Sequence, residues 1–82
     1  MKSTHTSQYH DAITTLIATR KERGITQVKL AEALGKPQSF VAKFEGRERR
    51  LDIVEFLAIC QALGADPVTL LQKAGLVSET KK

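Results

Sequence analysis

Side chains able to do covalent or metal chemistry are scarce in this sequence. Cys60 is its single cysteine, and His5 and His10 are its two histidines. These three groups cannot complete a four-ligand structural zinc site, and one cysteine cannot form an internal disulfide. The histidines stand five residues apart, which misses the i, i+4 spacing that would set both imidazoles on one face of a helix. Cys60 falls on an apolar stripe, where a thiol serves as a small core residue rather than a nucleophile. Nor can a glycine-rich phosphate loop, a pair of catalytic carboxylates or a Ser, His and Asp constellation be assembled. The sequence reads as that of a chain that is not an enzyme and that takes neither a metal nor a cofactor.

Charge is where the chemistry concentrates. Residues 36–50 hold Lys36, Lys43, Arg47, Arg49 and Arg50 against only Glu45 and Glu48, whereas residues 51–72 hold Asp52, Glu55 and Asp66 with no basic residue. A chain with a formal charge of +4 thus gathers its positive field on one part of its surface, the pattern of a face that docks an anionic partner. The alternative is a solvated basic loop whose charges pair with Glu45 and Glu48.

The elements that must position these cations follow from periodicity and from helix-end signals. Eighty-two residues, 41% hydrophobic and 27% charged, suit one small domain that buries roughly 60% of its unfolded surface. Tyr9, Ala12, Ile13, Leu16 and Ile17 recur at helical spacing, predicting a first helix over 8–23 with Ser7 as N-cap and Gly24 as its stop. The cations Arg20, Lys21 and Arg23 then suit the negative end of the helix dipole. Thr26 caps a second helix, Gln27 to Leu34, with Val28, Ala31 and Leu34 inward, Leu30 beside them, and Gly35 as terminator. Pro37 suits the boundary or first position of a third helix over 38–45, with Val41 and Phe44 inward. Asp52 and Glu55 form a capping box for a fourth helix, stapled by Leu51 and Phe56. Ile53, Phe56, Leu57 and Cys60 form its expected buried stripe, extended by Leu63, with Gly64 closing it. Asp66 and Pro67 start a fifth, in which Val68, Leu70, Leu71 and Ala74 can pack before Gly75. The expectation is all-α, with five helices and two short helices joined by a turn too tight for a parallel arrangement. Three stretches are expected: a flexible N-terminal segment over 1–7, the domain over 8–77, and a mobile tail over 78–82.

The run Gln27-Val-Lys-Leu-Ala-Glu-Ala-Leu-Gly35, followed by Lys36-Pro-Gln-Ser-Phe-Val-Ala-Lys-Phe-Glu45, resembles the phage repressor and Cro type of helix-turn-helix, the XRE family. Arg20-Lys21-Glu22-Arg23-Gly24 upstream and the stretch from Glu48 to Gly64 downstream resemble the rest of that domain. Together they cover roughly residues 13–71. The resemblance implies a compact five-helix, lambda-repressor-like fold and a sequence-specific regulator of transcription whose third helix enters the major groove of double-stranded DNA. It implies that Gln27 holds a phosphate and that Gln38 and Ser39 reach base edges, Gln38 binding adenine through N6 and N7. It also suggests that Gln27 braces Gln38. Lys43, one turn beyond Ser39, reaches guanine or a phosphate, and Phe40 meets either a thymine methyl or the core. Lys36, Arg47 and Arg49 bracket the helix as phosphate contacts, with Arg50 a weaker candidate. In the family a glycine usually stands two residues after the glutamate of helix three. Here Gly46 follows Glu45 directly and Arg47 takes the glycine position, so either Arg47 turns left-handed or the turn shifts onto Gly46.

One reading helix per chain makes a homodimer on an inverted repeat the expected assembly, with Leu70, Leu71, Leu76 and Val77 as its candidate interface. A second function class is an antitoxin-like or adaptor module that chiefly binds another protein, such as a toxin. The longest apolar run, Phe56 to Cys60, is far short of a membrane span, and Met1-Lys2 is followed by polar residues, so a cytoplasmic location is expected.

Overall fold

The computed structural model describes residues 2–78, so most of the expected tail, 79–82, lies outside the described residues. Five helices follow one another: α1 Lys2–Glu22, α2 Gln27–Leu34, α3 Gln38–Glu45, α4 Ile53–Leu63 and α5 Pro67–Lys73. No strand occurs among the described residues. The expected boundaries of α2, α3 and α4 match, and α1 departs from its expectation by starting at Lys2. Ser7 therefore sits inside the helix and is not its cap. No glycine or proline stands between Lys2 and Ser7 to stop the helix from extending backwards.

The starts of the later helices are locally encoded. Thr26 accepts the Lys29 N–H at 3.1 Å, and Asp66 accepts the Thr69 N–H at 2.9 Å. Asp52 accepts the Glu55 N–H at 2.7 Å while Glu55 accepts the Asp52 N–H at 3.0 Å, completing the capping box. The ends share one device. After each helix, one N–H bonds the carbonyl three residues back and the next bonds the carbonyl five back, as in Gly35 to Glu32 with Lys36 to Ala31. This motif needs a left-handed residue at its turn. Four helices put glycine there, and α3 puts Arg47, at φ 62°.

The core is drawn from all five helices: Ile13 and Leu16, Leu30 and Ala31, Val41 and Phe44, Ile59, Cys60 and Leu63, and Leu70. α2 packs chiefly on α3 and α4, while α1 lies against α3, α4 and α5. Several expected inward positions are corrected. The buried stripe of α4 runs Phe56, Ile59, Cys60, Leu63, whereas Ile53 and Leu57 are exposed. Ile53-Val-Glu-Phe-Leu-Ala-Ile-Cys60 is apolar on nearly every face, so spacing alone admits two stripes, and the neighbouring helices select one. Val28 and Val68 are exposed as well. Leu51 and Phe56 are partly buried against the core and line one cleft, as the staple requires.

Candidate nucleic-acid interface

The first turn of α3 presents Gln38 and Ser39 to solvent, with Lys43 exposed one turn further on. Beneath Gln38 runs a chain of polar contacts into the interior. Gln38 Nε2 donates to Gln27 Oε1 at 3.3 Å, and Gln27 Nε2 donates to Glu45 Oε1 at 2.9 Å. Arg20 grips the same carboxylate with two prongs, Nε to Oε2 at 2.7 Å and Nη2 to Oε1 at 3.0 Å. Its remaining prong, Nη1, donates to the Ile25 carbonyl at 2.7 Å. Arg20 and Glu45 are each only 8% exposed, and no buried side-chain nitrogen or oxygen among the described residues lacks a partner.

This chain has a direction. An ionised carboxylate can only accept, so Glu45 turns the Gln27 amide with its NH₂ inward and its carbonyl toward Gln38. That carbonyl in turn can only accept, so Gln38 must offer its NH₂. The bond leaves the Gln38 carbonyl oxygen and its second amide hydrogen facing outward. The suggested brace between Gln27 and Gln38 is present in the structure. The same contacts engage one amide hydrogen and the carbonyl of Gln27 within the protein.

Arg20 and Glu45 are the members of this chain whose role the sequence reading missed. Read from sequence alone, Arg20 serves the helix dipole and Glu45 balances the loop charge. The available signal was spacing: Arg20 falls four residues after Leu16 and seven after Ile13, on the apolar stripe of α1. A cation placed there needs a buried partner.

The loop cations are more committed than their number suggests. Arg49 donates to both carboxylate oxygens of Glu55, each at 2.8 Å, and to the Arg50 carbonyl at 3.0 Å. That pair, with the Asp52 N–H, holds the Glu55 carboxyl well below the usual carboxylate range, at about 2, so it is ionised at neutral pH. Arg49 is therefore anchored to α4 through Glu55. Its guanidinium also lies 4.9 Å from the centroid of the Phe40 ring, and Lys36 Nζ stands 5.4 Å from the same centroid. Phe40 is half-buried and tilted against Phe44, packing at the core edge with two cations over it. Arg50 stacks 4.2 Å from the Tyr9 ring, whose hydroxyl accepts the Leu51 N–H at 3.1 Å.

Arg47 takes the left-handed option. Gly46 keeps a negative φ of −82°, and the turn falls on Arg47, whose Nη2 donates to Thr14 Oγ1 at 2.9 Å. Glu45, tied to Arg20 and Gln27, remains helical, which places the left-handed position two residues later. Arg47→Gly should therefore relieve about 1 kcal/mol of backbone strain and raise the melting temperature by several degrees, while removing a cation from the loop. A melting temperature at or below that of the parent would show that the Thr14 contact outweighs the strain.

Residues 16–70 match the helix-turn-helix family. The chain is also 44% identical to a solved structure, an XRE-family-like protein from Pseudomonas syringae pv. tomato str. DC3000, with a TM-score of 0.87 over 95% of each chain. The chain belongs to the XRE family of helix-turn-helix proteins. No curated protein matches it. In this XRE-family domain α2 and α3 are the helix-turn-helix. XRE-family domains of this type are DNA-binding regulators of transcription. Among the described residues, no single helix is long and apolar enough to cross a membrane.

Proposed function

We propose that this XRE-family chain regulates transcription as a homodimer on an inverted repeat, each copy laying α3 in the major groove. The observation that carries the proposal is the oriented Gln38 amide. Its outward carbonyl and N–H form the acceptor and donor pair that adenine complements with N6 and N7. Ser39 and Lys43 complete the reading surface on the same helix. Lys43 meets either guanine or a phosphate, and Lys36 and Arg47 bracket the helix on the backbone. Gln27 acts here as a positioning residue, leaving the backbone N–H groups at the start of α2 to face a phosphate. Arg49 joins the phosphate contacts only by sharing its guanidinium with Glu55. Regulation then follows from occupancy of the operator.

Selection of bound duplexes from a randomised pool, run at two salt concentrations, tests this reading. An inverted repeat should emerge, with half-sites about one helical turn apart and an affinity that falls as salt rises. A pool that stays unenriched at both concentrations would overturn it.

A further inference from the structure

Arg49 stands in the loop between α3 and α4, yet both helices hold its guanidinium. Glu55 of α4 takes it end-on, with Nη1 donating to Oε1 and Nη2 to Oε2, each at 2.8 Å, and Nη1 also donates to the Arg50 carbonyl at 3.0 Å. The Phe40 ring of α3 lies with its centroid 4.9 Å from the same group. A guanidinium carries five N–H groups, so two remain: Nε–H and the second hydrogen of Nη2. Neither meets an acceptor among the described residues. They lie side by side along one edge, the edge with which Arg20 takes both oxygens of Glu45. Arg49 keeps that two-pronged edge on a side chain 43% exposed.

Both holds are in place before any partner arrives. Oε1 of Glu55 also accepts the Asp52 N–H at 3.0 Å, so the carboxylate is tied to the start of α4 as well as to Arg49. The Phe40 ring is seated against buried Phe44, with centroids 5.7 Å apart. Lys36 Nζ is 5.4 Å from the Phe40 centroid, which places the two cations within roughly 10 Å of each other beside the first turn of α3. An ion pair as exposed as that of Arg49 with Glu55 adds little to folding stability. Its effect is on direction. A long side chain loses its freedom on folding instead of on binding, and the two-pronged edge is left for an anion that offers two oxygens.

We propose that Glu55 and Phe40 are positioning residues for DNA, holding Arg49 so that its Nε and Nη2 edge meets a single backbone phosphate beside the start of α3. The proposal rests on the reading in which α3 faces DNA, and it gives Glu55 and Phe40 the task of aiming the arginine. The sign of the Glu55 effect is then the opposite of what charge counting gives. Glu55 is an anion close to a polyanion, so its removal by itself favours DNA binding. As the anchor of Arg49, its removal weakens binding, because the guanidinium must then be ordered at the moment of contact.

Glu55→Gln decides the sign, since glutamine also serves at this position of a capping box and leaves one acceptor oxygen in place of two. Fluorescence anisotropy with the full chain, on the selected duplex and on an unrelated one, should show affinity per bound copy falling about three- to tenfold on both. Phe40→Leu should cost about two- to fivefold, again on both, and Phe40→Tyr, which keeps the ring face, should bind as the parent does. In an Arg49→Ala background, which itself lowers the salt slope by about one per copy, Glu55→Gln and Phe40→Leu should no longer weaken binding. Circular dichroism and the melting temperature check that each variant is folded. Tighter or unchanged binding by Glu55→Gln would overturn the proposal, as would an equal loss in the Arg49→Ala background. A Phe40→Leu loss confined to one base-pair position would place the ring on a thymine methyl and overturn its positioning role. Variants that weaken binding to the unrelated duplex, in a chain that enriches no sequence, would keep the Arg49 seat and remove the operator reading. An enriched operator that Glu55→Gln binds as tightly as the parent would do the reverse, and a parent that binds neither duplex would overturn both.

Discussion

Arg20→Leu should lower the unfolding free energy by about 3–5 kcal/mol, because it leaves the Glu45 carboxylate buried without its partner. A domain of this size holds only about 4–12 kcal/mol in total, so the variant should lose about a quarter of its stability or more and unfold at a markedly lower urea concentration. Urea denaturation of the two proteins checks the magnitude. The paired variant Arg20→Leu with Glu45→Leu separates the ion pair's stabilising role from its orienting role. Replacing both charges with aliphatic groups removes the stranded carboxylate, and most of the stability should return. The Gln27 amide then loses the acceptor that turns it, so base preference at the Gln38 contact should remain weakened in the refolded double variant. Recovery of both stability and preference would show that the ion pair only supports the fold.

Gln38→Ala should cost about 1–3 kcal/mol per half-site on the selected duplex and should relax the preference at one symmetric base-pair position, leaving the others intact. Because the side chain is uncharged, the dependence of affinity on salt should be unchanged. Fluorescence anisotropy on duplexes with each base pair in turn reads both quantities. A uniform loss across sequences would place Gln38 on the backbone instead of on a base edge. Lys43→Ala, run on the same duplexes, decides its target: a reduced salt slope with unchanged preference means phosphate, and a relaxed position means guanine.

These two predictions depend on contacts that differ in how far they could be read from sequence. Thr26, Asp52 and Asp66 accept N–H groups three residues ahead, and the terminal glycines serve carbonyls three residues behind. Such bonds are closed within one turn of chain, so the composition around them is enough to place them. The brace of Gln27 on Gln38 was reachable through the family resemblance, since both residues sit at quoted motif positions. Its anchor was not, because Glu45 lies 18 residues from Gln27 and 25 from Arg20. The commitment of Arg49 to Glu55 depended on how the loop after α3 returns to α4. Neither residue's type reveals that return.

By itself the sequence determined that there would be five helices, where four of them begin, where each stops, and which short stretch carries the positive charge. Each of these is a local property, set by side chains within a turn or two of the backbone they cap or by the charges of one segment. Tertiary structure alone decided which stripe of α4 is buried, that Arg47 holds the left-handed turn, and that Arg20 reaches through Glu45 and Gln27 to aim Gln38. A helix apolar on nearly all sides has no preferred inward face until its neighbours press against it. A buried cation, likewise, has no function until the fold brings it a carboxylate.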